Sequence, residues 1–243
     1  MMTTNEPILS TRSLEKRFGG VKAVAGVDFT LQHGELRCLI GPNGAGKSTF
    51  FKLVTGQLRP SSGEIRILGR DAQRSEAHEI AAWGVGIKNQ VPDVMNGLTA
   101  RENIWLAAAS QLGKADIESA VDKVAERLSL TPIMGRLVGE LAHGQRQWVE
   151  IAMVIVCGPK IILLDEPAAG MSDEETQLTA RLIHELNRSM TVVVVEHDMD
   201  FIRQIAKTVT VFHQGRILME DSFDKIIADE TIRDVYLGRS AGV

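Results

Sequence analysis

Apolar positions fall along this chain in two rhythms, and the switch between them sets the expected elements. In the first third, short apolar or alternating runs are broken by turn residues. Ile8 to Phe18, Val24 to Leu31 and Glu64 to Leu68 read as strands, separated by Gly19-Gly20, His33-Gly34 and Gly69-Arg70-Asp71. Within this β-rich region Glu35 to Ile40 runs into a glycine-rich turn, and Lys47 to Leu58 reads as a helix. From about Pro92 to Val156 the period is mainly helical. Thr99 and Glu102 have capping-box spacing, and Ile117, Val121, Val124 and Leu128 keep to one face. Ile161 to Leu164 and Thr191 to Val195 are continuous apolar runs, as central strands of a parallel sheet covered on both faces require. Between them Ser172 and Glu175 open a helix whose apolar side carries Leu178, Leu182, Ile183 and Leu186. Val209 to Phe212 is a further strand, ending at Gln214-Gly215. There is no internal repeat and no low-complexity tract. The order predicts an α/β fold: one doubly wound, mostly parallel sheet preceded by a β-rich region and interrupted by a helical subdomain.

Composition narrows the function classes. A length of 243 residues suits one large domain with an insert and is short for two. Hydrophobic residues at 44% and charged residues at 24% argue against long disorder. A formal charge of -4 supplies no global basic field for gripping nucleic acid, so no nucleic-acid partner is expected. The two cysteines, Cys38 and Cys157, lack metal-ligand spacing and are expected as small buried apolar groups in a reducing compartment. Met1 to Ser10 shows no leader pattern, and no apolar run approaches the ~20 residues of a membrane-spanning helix. The most apolar stretch, Ile151 to Leu164, is interrupted by Gly158, Pro159 and Lys160. A soluble protein is expected, reaching a membrane only through a partner.

The chemistry starts at Gly41-Pro42-Asn43-Gly44-Ala45-Gly46-Lys47-Ser48-Thr49, a P-loop pattern between an apolar strand and a helix. Glycines let the backbone curl so that successive N–H groups point at phosphate oxygens, and the helix adds its positive end. Lys47 is expected to bridge the β- and γ-phosphates of ATP and Ser48 to offer its hydroxyl to Mg²⁺. Ile161 to Leu164 then delivers Asp165 to the sheet edge toward that metal. Glu166, one residue on, is placed to polarise a water for attack on the γ-phosphate.

The remaining motifs resemble the ABC ATPase family over essentially the whole chain. Leu141-Ala142-His143-Gly144-Gln145 stands where the family usually has Leu-Ser-Gly-Gly-Gln, and it opens a helix with Trp148, Ile151, Ala152 and Ile155 on one face. Ala142 replaces the serine and His143 the first glycine. The resemblance implies that this helix start caps the γ-phosphate held by a second ATPase subunit in a head-to-tail dimer. It also implies that Gln90 is the glutamine that contacts Mg²⁺ and that Phe18 stacks on adenine. In the same way His197, in Glu196-His197-Asp198, contacts the γ-phosphate, and Ala169 to Ser172 is the D-loop. The implied fold is that of an ABC ATPase, with an N-terminal antiparallel β region. Its nucleotide-binding core spans 1–91 and 157–243, and a helical subdomain spans 92–156.

Closer similarity points to bacterial importers of branched-chain amino acids and urea. It rests on Ala168 to Thr176, on His143 to Trp148, on Val194 to Met199 and on the ending Val235-Tyr236-Leu237-Gly238-Arg239. The histidine signature looks most like the urea type, with branched-chain amino acids the alternative cargo. Such a subunit works at the cytoplasmic face of the inner membrane with two permease subunits and, in the full complex, a periplasmic binding protein. Two readings compete: an ABC ATPase acting on nucleic acid or ribosomes, and a nucleotide-gated regulatory module.

Overall fold

The computed structural model describes residues 6–90 and 93–237. The start of the Met1 to Ser10 segment, the 91/92 boundary and the closing Gly238-Arg239 lie outside the described residues. In chain order the first half runs β1 (Leu9–Phe18), β2 (Val21–Leu31), β3 (Leu36–Ile40), α1 (Lys47–Val54), β4 (Ser62–Ile67), β5 (Arg70–Asp71), α2 (Ala77–Ala82) and β6 (Val85–Lys88). The helices α3 (Ala100–Ala109), α4 (Lys114–Arg127) and α5 (His143–Ile155) follow. The chain ends with β7 (Ile161–Asp165), α6 (Asp173–Asn187), β8 (Thr191–Val195), α7 (Met199–Ile205), β9 (Thr208–His213), β10 (Arg216–Asp221), α8 (Phe223–Ala228) and α9 (Glu230–Leu237).

Two sheets result. The antiparallel one has the order β2-β1-β4-β5, and the other, with six strands, has the order β10-β9-β3-β8-β7-β6. In the larger sheet every pairing is parallel except that of the edge strand β10 with β9. Successive side chains on a strand face opposite ways, so the apolar runs fill two cores at once. Cys38, Ile162, Leu164, Val192 and Val194 join the core shared with the helical subdomain. Leu39, Ile161, Leu163, Val193 and Val195 join the core beneath the antiparallel sheet. Fully burying each such aliphatic side chain contributes roughly 1.5–3 kcal/mol, which is why β7 and β8 read as continuous apolar runs.

Several expectations are corrected. The helix read to Leu58 ends at Val54, because Thr55 leaves helical geometry and Gly56 turns at φ 71. The Arg70-Asp71 turn is a short strand paired with Arg66 and Ile67. The described block 93–156 is mainly helical as expected, with three α-helices and, between 128 and 142, two single 3-10 turns. On α6 the buried stripe is Thr179, Ala180, Ile183, Leu186 and Asn187, whereas Leu178 is exposed. Cys38 is buried as expected, but Cys157 is only half-buried. No described helix is long and apolar enough to cross a membrane.

Candidate functional site

All parallel strands of the large sheet deliver their carboxyl ends to one edge, the place where open α/β sheets bind ligands. Gly41 follows β3, Asn89-Gln90 follow β6, Glu166 follows β7 and Glu196-His197 follow β8. The loop after β3 can exist only with its glycines. A Cβ on Gly41 or on Gly46 (φ 104) would drive into the carbonyls of Phe212 and Ala23 respectively. The loop is tied down when Gly215 N–H donates to the Ala45 carbonyl at 2.8 Å. Helix α1 then opens at Gly46 with no side-chain cap, leaving its first N–H groups for a ligand.

Lys47 Nζ donates to the carbonyls of Gly41 at 2.5 Å and Pro42 at 3.2 Å. Burial lowers its pKa, against the opposing pull of Glu166 and Asp165. A cavity of about 310 Å³ is lined by Phe18, Asn43 to Thr49, Glu166 and Val195. Phe18 stands at the β1–β2 hairpin and is 50% exposed, so it is not a core phenylalanine.

Glu166 is the meeting point. Gln90 Nε2 donates to its Oε2 at 2.7 Å, and His197 Nδ1 lies 3.4 Å from its Oε1. Its backbone N–H donates to the Val195 carbonyl at 2.9 Å, with φ at 46. Burial, reinforced by the neighbouring Glu166 carboxylate, raises the pKa of Asp165. Two adjacent carboxylates with a hydroxyl and an amide oxygen nearby form an all-oxygen donor set of the kind Mg²⁺ takes. Gln90 spends its amide nitrogen on Glu166, which leaves its Oε1 for a metal. The donors Ser48, Asp165 and Gln90 therefore suit Mg²⁺, and the glycine cradle suits a triphosphate.

Three residues that the sequence did not mark brace this edge. Glu196, 2% exposed, accepts from the N–H groups of Ala168 at 3.3 Å, His197 at 3.0 Å and Asp198 at 3.5 Å. Burial raises its pKa, against those bonds. Lys88, fully buried, donates to the carbonyls of Asn89 at 2.8 Å and Asp165 at 3.3 Å. Its ammonium lies 3.7 Å from Glu150 Oε2 on α5, an ion pair beyond hydrogen-bond reach. Glu150 Oε1 accepts from the Asp93 N–H at 3.2 Å. A lone lysine at the end of a short strand carries no periodic signal, so only the tertiary contact reveals it.

Ala142 to Gln145 are not among the residues that line the cavity at the glycine cradle, and His143 reaches instead to the Ala169 carbonyl. Helix α5 also opens without a side-chain cap, and Gln145 Oε1 accepts from the Ala142 N–H at 3.2 Å. Ser172 caps α6, its Oγ accepting from the Glu175 N–H at 3.4 Å and donating to Glu175 Oε2 at 3.0 Å.

The sequence profile of the ABC transporter family matches residues 24–169. The chain belongs to the ABC transporter family. This ABC subunit is 34% identical to the high-affinity branched-chain amino acid transport ATP-binding protein BraF of Pseudomonas aeruginosa, over 97% of this chain and 100% of that protein. It is 32% identical to the ribose import ATP-binding protein RbsA 2 of Rhizobium etli, over 94% of this chain but only 46% of that longer protein. The ADP conformation of MJ1267, an ATP-binding cassette of an ABC transporter, superposes with a TM-score of 0.89 at 27% identity, covering 97% of this chain and 100% of that one. The expected fold class is met. Of the two cargo expectations, the full-length likeness to BraF favours branched-chain amino acids over urea.

Proposed function

We infer that this subunit binds and hydrolyses ATP to drive an importer, and that its cargo is a branched-chain amino acid. The observation that carries the reading is the convergence of Gln90 and His197 on Glu166 at the mouth of the glycine cradle. The cradle N–H groups and Lys47 hold the phosphates, and Phe18 stacks on the base. Ser48, Asp165 and Gln90 hold Mg²⁺, which supplies charge neutralisation for the phosphates when bound. Glu166 orients the attacking water and takes its proton, while His197 contacts the γ-phosphate. Ala142, His143, Gly144 and Gln145 present the uncapped start of α5 and its helix dipole to the nucleotide of a second subunit in a head-to-tail dimer.

The division into a core, 1–91 and 157–243, and a helical subdomain, 92–156, gives the motor two bodies to move. A cleft of about 280 Å³ lies between them, lined by Val85, Ile87, Ala107, Glu150, Met153 and Val154. Asn89, next to Gln90, lines it, so we place the permease contact there, at the cytoplasmic face of the membrane. A periplasmic binding protein would complete the importer.

Glu166→Gln tests the assignment. Glutamine keeps the shape but cannot take a proton, and it removes a negative charge beside the γ-phosphate. The variant is expected to bind ATP nearly normally, hydrolyse it very poorly and accumulate as an ATP-bound dimer in size-exclusion chromatography with Mg-ATP. Wild-type turnover in the variant would overturn the general-base role. Uptake of labelled leucine against labelled urea by vesicles carrying the whole complex decides the cargo.

A further inference from the structure

Helix α5 does not begin as a free end. Its first residue, His143, directs ring Nε2 at the carbonyl of Ala169, 3.0 Å away in the segment that follows Glu166. The Ala169 N–H donates in turn to the Glu166 carbonyl at 3.3 Å. Two hydrogen bonds therefore join the helix start to the backbone of that carboxylate. The backbone of Glu166 is strained at φ 46, and such a conformation persists only where its surroundings over-determine it.

Neighbouring contacts tie the start of α5 to that turn at Gly170 and to helix α6 beyond it. Gly170 turns at φ 71, and a Cβ there would meet His143 Cδ2 at 3.3 Å. Gly144 backs onto the Glu175 carboxylate so closely that a Cβ there would displace it. One turn further along, Trp148 Nε1 donates to Thr179 Oγ1 at 2.9 Å.

The ring's tautomer follows from its partners. Gln147, 1% exposed, holds its amide nitrogen 3.2 Å from the same Nε2, while its Oε1 has no partner. One ring nitrogen cannot donate to Ala169 and accept from an amide at once. With the Gln147 amide turned over, Nε2–H is shared between the Ala169 carbonyl and Gln147 Oε1, and both acceptors are satisfied.

We propose that His143 is a positioning residue that locks the start of α5 to the turn holding Glu166, so that a displacement of one is passed to the other. Its consequence rests on the motor reading above. There the start of α5 faces the nucleotide of the second subunit, while Glu166 acts on the nucleotide of its own. The lock then makes occupancy of one site felt at the carboxylate of the other.

Two variants separate the donor from the ring. His143→Phe keeps the bulk and removes the N–H, whereas His143→Gln keeps a donor. Hydrogen exchange on the nucleotide-free protein reads the lock directly, because the Ala169 and Met171 amides are bonded within this turn. In His143→Phe their exchange is expected to rise roughly three- to tenfold, the worth of one hydrogen bond, with the 41–49 segment unchanged. His143→Gln should return it toward wild type. In ATPase assays His143→Phe should lower kcat and bring the Hill coefficient for ATP to one, leaving ATP affinity at low protein concentration unaltered. Unchanged exchange in His143→Phe overturns the lock. Raised exchange with unchanged kcat and cooperativity overturns the coupling between sites. A wild type that turns over no ATP sinks the motor reading and the coupling with it, while the exchange result still decides the lock.

Discussion

Lys47 concentrates the residue-scale argument. Its ammonium is turned onto two carbonyls of its own loop, where burial favours the neutral amine and Glu166 and Asp165 favour the cation. A group so placed exchanges carbonyl partners for phosphate oxygens without leaving the loop. A charge-assisted contact of this kind is worth roughly 1.5–3 kcal/mol, or about one to two decades in affinity. Lys47→Ala is therefore expected to lose most of its ATP affinity in calorimetry, and unchanged binding would contradict the phosphate role. Glu166 makes a complementary point. Its two carboxylate oxygens are claimed by Gln90 and His197, so its orientation is set from two different strands before any water arrives.

At the scale of elements, the pair formed by Lys88 and Glu150 joins β6 to α5, and through Lys88 also to the end of β7. Side-chain exposures of 0% and 5% leave neither charge any water to fall back on. Lys88→Met strands the Glu150 carboxylate and should destabilise the fold by roughly 3–5 kcal/mol, whereas Lys88→Met with Glu150→Leu should recover most of that loss. The pH dependence carries a sign. Burial already raises the Glu150 pKa, and Lys88 opposes it. Without Lys88 the folded-state pKa climbs further, so the folded protein holds a proton that the unfolded chain releases. The deficit of Lys88→Met is then small at low pH, where both states are protonated. It grows as pH rises from the ordinary carboxylate range through the raised folded value. Thermal melts at several pH values check this, and a deficit that shrinks with rising pH would refute it.

For the whole molecule the question is how readily two subunits close on ATP. Ala142 sits at the N-cap of α5 in extended geometry and offers no side-chain oxygen. On the head-to-tail arrangement proposed above, a serine there would add a hydrogen bond to the second subunit's γ-phosphate in the closed dimer, worth roughly 1.5–3 kcal/mol. Ala142→Ser is expected to raise ATPase activity at low protein concentration, with little change in the ATP affinity of the monomer. The same serine could also cap its own helix, which stabilises a fold by ~1 kcal/mol. Measuring rate against protein concentration beside the melting temperature separates the two effects. A higher Tm with an unchanged concentration dependence makes the serine a cap only, and removes the dimer role from this helix start.

Local rules made much of this protein legible in one dimension. The cradle from Gly41 to Thr49 is contiguous, and its chemistry lies in backbone conformation that only glycine permits. The boundaries of β8 and the caps at Thr99 and Ser172 were equally plain, because capping and continuous burial act over a few residues. The apolar periodicity of α6 includes Leu178, yet the buried face leaves it exposed, since which face is buried depends on what lies against it. Lys88, Glu150 and Glu196 carry no local pattern at all. Their meaning comes from desolvation and from partners on other elements, such as Asp165, Asp93 and Ala168. His143 was visible as a departure from a motif, yet its bond to Ala169 spans 26 positions of chain. Short-range geometry is written into neighbouring residues, whereas the pairing of buried polar groups is decided only when distant segments are brought together and water is excluded.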